Sequence, residues 1–225
     1  MNIATVFLMS KPVKTRQYRS EVRAEKAAKT RRAVLLAARS LMETRGYDAT
    51  TVADIAHAAG VSVDTVYASV GRKPELVVAV IDMVLGSSDA PIPAEQRGYV
   101  RAIRAARTGR AMFGLYAASL GALMPRIAPL MDALRRAGET NADCAAAWSA
   151  LSDRRAANML LFAADLRRSG DLRADLSDRV VADFVWSTNG PEYFLLLRSR
   201  GWSTERYVRL LEDLWSRMLL EPGAP

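Results

Sequence analysis

The sequence predicts an all-α protein, with a small N-terminal domain followed by a larger helical domain. Ala and Leu are abundant while runs rich in Val, Ile and Thr are scarce, which favours helix over sheet. Apolar residues recur at helical spacing, and Gly or Pro separates successive amphipathic stretches. Half of the 225 residues are hydrophobic, which is enough for a sizeable core.

The positive charge of the chain is concentrated near its N-terminus. The formal net charge is +8, and residues 1–73 hold 13 Lys and Arg against 6 Asp and Glu, a net charge of +7. Residues 74–225 hold 19 against 18, a net charge of +1. This segregation favours a polyanionic partner for the first third of the chain. Residues 1–22 are predicted to be a flexible basic arm, and residues 1–10 have the wrong order of apolar and basic residues for a secretory signal.

The single cysteine and single histidine argue against several kinds of chemistry. Cys144 has no second cysteine with which to form a disulfide, which fits a reducing cytoplasm, and it is far in sequence from His57. We find no nucleophile–base–acid set, metal-ligand cluster or Gly-rich phosphate loop, so we predict neither an enzyme nor a cofactor or metal site. No apolar run approaches the roughly 18–20 residues of a spanning helix, so we expect no membrane partner.

Residues 23–72 carry the pattern of a three-helix domain that contains a helix-turn-helix. The first helix is predicted to begin at about residue 23 and to end at Gly46, which tolerates the left-handed conformation of a helix C-terminus. Residues 51–69, TVADIAHAAGVSVDTVYAS, then predict two short helices joined by a tight turn at Gly60. Ser62 is predicted to cap the second of these helices, whose N-terminus is then free to enter a major groove.

Residues 73–225 are predicted to form one helical domain. A helix from Lys73 to about Gly86 leads into a linker at residues 87–93, which contains two Ser and two Pro. Pro125 and Pro129 are expected to kink or split the second stretch that follows. The amphipathic stretches beyond the linker lie at about 95–107, 109–137, 141–169, 177–200 and 203–219.

The helix-turn-helix region resembles the N-terminal domain of the TetR family of regulators over about 50 residues. The region departs from the family pattern after Tyr67, where many members carry an aromatic stretch and this chain has Ala68-Ser69-Val70. The matching residues are Gly46-Tyr47, Thr51-Val52, Ile55-Ala56, Ala59-Gly60-Val61-Ser62, Thr65-Val66-Tyr67, Lys73 and Leu76.

The resemblance implies DNA-contacting positions in the first domain. Thr50, Thr51, Tyr67 and Lys73 match phosphate-contacting positions, and hydroxyl, phenol and ammonium groups all donate to phosphate oxygens. The threonines could equally serve only as helix caps. Base edges are expected to face Ser62, Val63, Asp64 and Ala68, with Thr65 on the same helix, and Arg31 and Arg32 are expected to reach the DNA backbone.

Asp64 has a second interpretation. A carboxylate at a helix N-terminus is stabilised by the helix dipole with no DNA present, so a base-reading role for Asp64 is one of two readings. His57 lies away from the apolar face of its helix, where we expect a surface side chain. A histidine without metal partners is not predicted to be a ligand.

The resemblance also implies a ligand pocket and a dimer interface in the second domain. Segments around Asn189–Tyr193 and Arg200–Tyr207 look like the last two helices of one TetR subgroup, which form the dimer interface there. For any single pocket residue, ordinary core packing is the alternative. The predicted pocket residues are Met112, Phe113, Tyr116, Leu120, Met124, Trp148, Met159, Phe162 and Trp186. The predicted interface residues are Phe194, Leu197, Trp202, Tyr207, Leu211, Leu214, Trp215 and Met218.

These implications describe a cytoplasmic, nucleoid-associated repressor. It would bind double-stranded operator DNA of palindromic sequence as a homodimer, and a largely apolar or aromatic small molecule would release it. Two alternatives stay open on the sequence. One is a small-molecule carrier or enzyme with an incidental N-terminal helix pair, and the other is a constitutive DNA binder whose second half only dimerises.

Overall fold

Helices make up almost all of the regular structure. The computed structural model describes residues 14–88 and 92–223, and the surroundings of side chains from residue 20 onward. A single 3₁₀ turn, Ala94–Gln96, precedes the fifth helix. The ten α-helices in these ranges are α1 (Lys14–Arg45), α2 (Val52–Ala59), α3 (Val63–Ser69), α4 (Lys73–Gly86), α5 (Gly98–Ala105), α6 (Gly109–Ala137), α7 (Ala142–Ser169), α8 (Asp178–Thr188), α9 (Pro191–Ser199) and α10 (Thr204–Leu219).

Helix α1 begins nine residues earlier than the sequence pattern predicted. Residues 14–22, which were expected to belong to the flexible arm, form its first turns, while residues 1–13 of that arm lie outside the described residues. This part of α1, KTRQYRSEV, contains Lys, Arg, Gln and Glu, which favour helix by intrinsic propensity. Residues 14–22 have no apolar stripe, so helical periodicity predicts the helix only from about residue 23.

Helices α1, α2 and α3 form a small head around a shared apolar core. Val34, Leu35 and Ala38 of α1 are buried against Ile55 of α2 and Val66 of α3. The chain turns between α2 and α3 at a glycine with φ of 66°, a left-handed conformation that favours glycine. The head therefore has the predicted helix-turn-helix architecture.

Helix α6 forms the centre of the body and packs against α4, α5, α7, α9 and α10. It is the one helix in the described ranges that is long and apolar enough to cross a membrane. No segment of this kind was expected from the sequence. The Gly, Ala, Leu and Met residues of α6 give it that character. Because its apolar residues are buried against five neighbouring helices, α6 is accounted for as a core helix.

Two helix boundaries in the body differ from the predicted stretches. Pro125 and Pro129 lie inside α6 without splitting it. The stretch predicted at 177–200 is instead two helices, α8 and α9. The chain leaves α8 at Asn189 and Gly190, and Pro191 opens α9, where its missing N–H costs little.

Helices α6 and α10 approach each other closely at Gly121. A Cβ built on this glycine would lie 2.5 Å from Cγ2 of Val208. Only a glycine therefore permits this contact without displacing α10. The close packing places the aromatic residues of α10 directly against the residues of α6 that face the middle of the body.

Candidate functional site

Helix α3 presents a solvent-facing surface, which we call the α3 face and define by Ser62, Asp64, Tyr67 and Ala68. All four residues are exposed, and Tyr67 is 47% exposed, which is unusual for a large aromatic side chain with no partner to cover it. The Ser62 hydroxyl accepts a hydrogen bond from the backbone N–H of Thr65 at 3.1 Å and so caps the helix. The α3 face is therefore a rigid, exposed helix surface that begins at a helix N-terminus.

Two further residues of α3 are less accessible than predicted. Val63 is half-buried and packs against the core of the head. The Thr65 hydroxyl lies 2.8 Å from the Ser62 hydroxyl. The Val63 side chain therefore packs against the head, and the Thr65 hydroxyl lies against the helix cap.

The two threonines before α2 have different roles. Thr51 is exposed and forms a capping box: its hydroxyl accepts from the backbone N–H of Asp54 at 3.1 Å, and the Asp54 carboxylate accepts from the Thr51 backbone N–H at 3.0 Å. The hydrogen bonds from Thr51 lower the pKa of Asp54 below its ordinary value. Thr50, by contrast, is 0% exposed, and its hydroxyl donates to the Gly46 carbonyl at 2.7 Å.

The burial of Thr50 contradicts its predicted role as a phosphate contact. Its side chain is turned inward because it satisfies a carbonyl at the end of α1. Since the hydroxyl of Thr50 has no solvent-facing surface, it cannot reach DNA.

Lys73 begins α4 beside the α3 face. Its ammonium lies 4.1 Å from the centroid of the Tyr47 ring and 3.5 Å from the Asp48 carbonyl. Partial burial lowers the pKa of Lys73 below its ordinary value. Lys73 and Tyr67 line one shallow groove between the head and the N-terminus of α7. The ring of Tyr47 thus holds the ammonium at this groove by a cation–π contact.

The two predicted arginines of α1 are placed differently from each other. Arg31 is half-buried, and its guanidinium donates to the Ser69 carbonyl at 2.7 Å. It therefore supplies a hydrogen-bond donor to a carbonyl at the C-terminal end of α3 and links α1 to that helix. Arg32, one residue further along, is exposed.

The head contacts the body through the first turn of α7. The Arg72 guanidinium is 2.9 Å from the Asp143 carboxylate, and the Tyr47 hydroxyl is 3.4 Å from the Cys144 sulfur. Burial raises the pKa of Tyr47 well above its ordinary value. Cys144 is itself buried. These contacts make α7 a direct connection between the head and the body.

A cavity of about 120 Å³ lies inside the body, between α4, α5, α6 and α7. That volume is comparable to an engineered apolar cavity of roughly 150 Å³ that accepts benzene. Its wall is mainly apolar. Five of the nine predicted pocket residues line it, namely Tyr116, Leu120, Met124, Met159 and Phe162.

The other four predicted pocket residues lie outside the cavity wall. Met112 and Phe113 are buried in the core, where Phe113 packs its ring against Phe162 and Trp215. Trp148 and Trp186 are half-buried beside the core. Helical periodicity marks which face of α6 is buried, but it cannot distinguish a cavity wall from solid core.

A chain of polar groups enters this apolar wall from α7 and the end of α8. The Arg155 guanidinium donates to the Asn189 side-chain oxygen at 2.7 Å, and the Asn189 amide donates to the Tyr116 hydroxyl at 2.8 Å and contacts the Met159 sulfur at 3.1 Å. We call Arg155, Asn189 and Tyr116 the polar triad. Burial raises the pKa of Tyr116 well above its ordinary value and lowers that of Arg155.

Sequence reasoning missed two members of this triad. Asn189 was noted only as part of a C-terminal motif, and Arg155 belongs to the run Asp153-Arg154-Arg155, which looks like a solvated surface. The structure shows that Arg154 is exposed at the mouth of the cavity, in an ion pair with Asp82 at 2.8 Å. Only the three-dimensional position of Arg155 distinguishes it from its neighbour.

Four of the eight predicted interface residues are buried by the chain's own packing. Trp215 stacks on Tyr116 with ring centroids 5.6 Å apart, and Phe194 packs edge-to-face against Tyr207 at 5.0 Å. Leu211 is also fully buried. These residues cannot contact a second subunit, because the core between α6, α9 and α10 already covers their side chains. Leu197, Trp202, Leu214 and Met218 remain partly or fully exposed.

The head matches a known family by sequence. Residues 34–80 match the family model described as bacterial regulatory proteins, tetR family. This range contains the end of α1, the whole helix-turn-helix and the first half of α4. No curated protein matches the chain by sequence.

The whole fold is similar to several solved structures. NalD, the secondary repressor of the MexAB-OprM multidrug efflux pump in Pseudomonas aeruginosa, is 20% identical, with a TM-score of 0.62 over 87% of this chain and 98% of its own. SmeT, the repressor of the Stenotrophomonas maltophilia pump SmeDEF, was solved with triclosan and is 18% identical, with a TM-score of 0.63 over 86% of this chain and 93% of its own.

A protein from Saccharomonospora viridis, solved in complex with choline, is 16% identical, with a TM-score of 0.62 over 85% of this chain and 98% of its own. At such identities these likenesses show the fold. The family match covers residues 34–80, so it is the head of this chain that is similar to the tetR-family regulators.

Proposed function

We propose that this chain is a transcriptional regulator of the TetR family, a repressor that binds a palindromic operator as a homodimer and is released by a small molecule. In this proposal residues 23–72 bind DNA, and residues 73–225 bind the ligand and dimerise. The protein acts in the cytoplasm, on the nucleoid. The observation that carries the proposal is the α3 face, an exposed and firmly capped helix surface beside Lys73 on the basic part of the chain.

The α3 face suits insertion into a major groove. Ser62 and Asp64 stand at the N-terminal end of α3, where a recognition helix contacts base edges, and Ala68 leaves room for close approach. Tyr67 and Lys73 lie at the edge of this surface, where a phenol and an ammonium can donate to backbone phosphates. Thr51, at the N-terminus of α2, offers a third contact of this kind.

Two helices connect the cavity to the head. Helix α7 contacts the head through Asp143 and Cys144, and 11 residues beyond Cys144 it places Arg155 at the cavity wall. Helix α4 begins at Lys73 and lines the same cavity with Ile81 and Leu85. A ligand that favours a different position of α4 or α7 would change the spacing of the two heads of a dimer. Such release requires a difference in ligand affinity between the two conformers.

Operator binding is tested by fluorescence anisotropy with a labelled fragment of the gene's own upstream DNA and a scrambled control, across a salt series. Lys73→Ala is expected to weaken operator binding by roughly tenfold and to reduce the salt slope by about one, because one phosphate contact is lost. Tyr67→Phe removes only a hydroxyl and is expected to weaken binding several-fold with the salt slope unchanged. Unaltered affinity in both variants would remove these residues from the DNA interface.

The dimer is proposed to form through the outer surface of α9 and α10. Leu196 of α9 is 62% exposed, beside the half-buried Leu197, and Met218 at the C-terminal end of α10 is 47% exposed. Both are large apolar residues of the kind that a subunit interface covers. Leu196→Glu combined with Met218→Glu is expected to shift the protein to a monomer in sedimentation velocity and to weaken operator binding by at least tenfold, since two charges would be buried unpaired. Val180→Glu on α8, which is also exposed, tests whether the interface extends to that helix. A double variant that sediments as the wild type would place the interface elsewhere.

A further inference from the structure

We infer that the cavity binds an apolar molecule bearing a carboxylate, and that Arg155 is the residue that recognises the carboxylate. This inference rests on the proposed function, because it names the chemical class of the releasing ligand. The observation behind it is a guanidinium at an apolar cavity wall that has no carboxylate partner in the described ranges.

The charges around the cavity are unbalanced. Four arginines line the wall, against two acidic residues, Glu95 and Asp165. Arg104 pairs with Asp165 at 2.9 Å. Arg154 and Arg97 share Asp82, at 2.8 and 3.5 Å. Arg155 is the cation that remains: among the described residues no carboxylate oxygen lies within 4 Å of it, and Glu192 interacts with it only at longer range.

The hydrogen bonds of Arg155 leave one side of its guanidinium open. Both of its described hydrogen bonds come from Nη2, at 2.7 Å to the Asn189 side chain and at 3.3 Å to the Trp186 carbonyl. The Trp186 ring lies against the guanidinium, 5.5 Å from it. The N–H groups on Nε and Nη1 have no acceptor in this part of the chain. The two parallel forks of a guanidinium, Nε with Nη2 and Nη1 with Nη2, both include Nη2, so a carboxylate would accept from Nε–H or from Nη1–H singly. Such a hydrogen bond is charge-assisted.

The rest of the polar triad holds the arginine in position. Asn189 is buried, accepts from Arg155 and donates to Tyr116, so the side chain of Arg155 is fixed from one side only. Tyr116 in turn is held between Phe162 and Trp215, with ring centroids 5.0 and 5.6 Å away. A ligand with an apolar body against Leu120 and Phe162 would therefore meet a preorganised cationic group.

A cationic or purely apolar ligand fits this wall less well. A cation would face the excess of positive charge in a medium of low dielectric constant, where like charges repel more strongly than in water. An apolar ligand would exclude water from the Arg155 guanidinium without replacing its hydrogen bonds, which carries a desolvation cost. A carboxylate supplies both the missing charge and the missing acceptors.

The test measures direct binding to the full-length protein without DNA, by calorimetry and by the fluorescence of Trp186 and Trp215. The probes are three pairs that differ only in charge: benzoate and benzamide, phenylacetate and phenylacetamide, octanoate and octanamide. At least one carboxylate is expected to bind about tenfold or more tightly than its amide, because the charge-assisted pair is available only to the carboxylate. Amides that bind as tightly as every carboxylate, or carboxylates that all fail to bind, would overturn the inference.

Three variants separate recognition from folding. Arg155→Met is expected to abolish the preference for the carboxylate, and Arg155→Lys to keep a reduced preference, because it retains the charge but not the guanidinium geometry. Arg179→Met, on α8 and outside the cavity wall, should keep the wild-type preference. A preference that survives in a folded Arg155→Met protein would overturn the inference. Operator binding is measured in parallel on the wild-type protein. If the protein binds its operator but shows no preference for carboxylates, the carboxylate inference is overturned while the proposed function stands.

Discussion

Replacing Trp215 by Ala is expected to lower the free energy of unfolding by about 3–5 kcal/mol, the range seen when a large buried aromatic residue is truncated. Trp215 is 0% exposed and packs against both Phe113 and Tyr116. Its indole N–H donates to the Thr188 hydroxyl at 2.8 Å, so truncation would also leave that hydroxyl without its donor. Urea unfolding followed by circular dichroism gives the free energy directly.

The matched control is Trp202→Ala. Trp202 is half-buried at the start of α10, and its ring contacts the Arg206 guanidinium at 3.7 Å. Its truncation should cost about 1 kcal/mol, as expected for a partly exposed cation–π contact. Trp215→Ala should also remain a dimer by sedimentation, because the residue faces its own core. If Trp215→Ala dissociated into folded monomers with little loss of stability, Trp215 would instead belong to the subunit interface.

The sequence predicts the apolar face of α10 but not the element that covers it. The spacing of Tyr207, Leu211 and Trp215 marks one apolar face, and the structure confirms that the face is buried. The sequence does not state what buries it. The surplus of large apolar residues suggested a second subunit, whereas the close approach at Gly121 lets α6 of the same chain cover them.

The head was predicted more completely than the body, for a physical reason. Its helices are short, and their ends are fixed by local chemistry: Thr51 and Ser62 cap α2 and α3, and Gly60 takes the left-handed turn between them. Local signals of this kind can be read from adjacent residues. Thr50 is the exception, because its hydroxyl satisfies the carbonyl of Gly46, and nothing in its sequence position distinguishes that role from a contact with DNA.

The cavity could be predicted only in part. The aromatic and Met residues at helical spacing on α6 and α7 identified five of its wall residues, including Tyr116 and Phe162. The polar triad is assembled from three helices or their ends, with a sequence separation of 34 positions from Arg155 to Asn189 and of 73 positions from Tyr116 to Asn189. Such long-range placement has no local periodicity, so a half-buried arginine at a cavity wall is indistinguishable in sequence from an exposed one.

Ala68→Glu is expected to weaken operator binding by about 100-fold or more, because it places a carboxylate on the α3 face against the DNA phosphates, and like charges at an interface cost several kcal/mol. Ala68 is exposed and within a helix, where Glu is well tolerated, so the thermal stability of the free protein should change little. Ala68→Gln has nearly the same shape without the charge and serves as the control, with an expected loss of less than about tenfold.

The salt dependence of the two variants distinguishes charge repulsion from a steric clash. Repulsion is screened as the ionic strength rises, so the difference in affinity between Ala68→Glu and Ala68→Gln should shrink between 50 and 200 mM salt, roughly as the Debye length falls below 10 Å. A steric clash would leave the two variants equally weakened at every salt concentration. Equal, undiminished affinity in both would mean that α3 does not enter the groove, and the exposed Tyr67 beside Ala68 would then need another explanation.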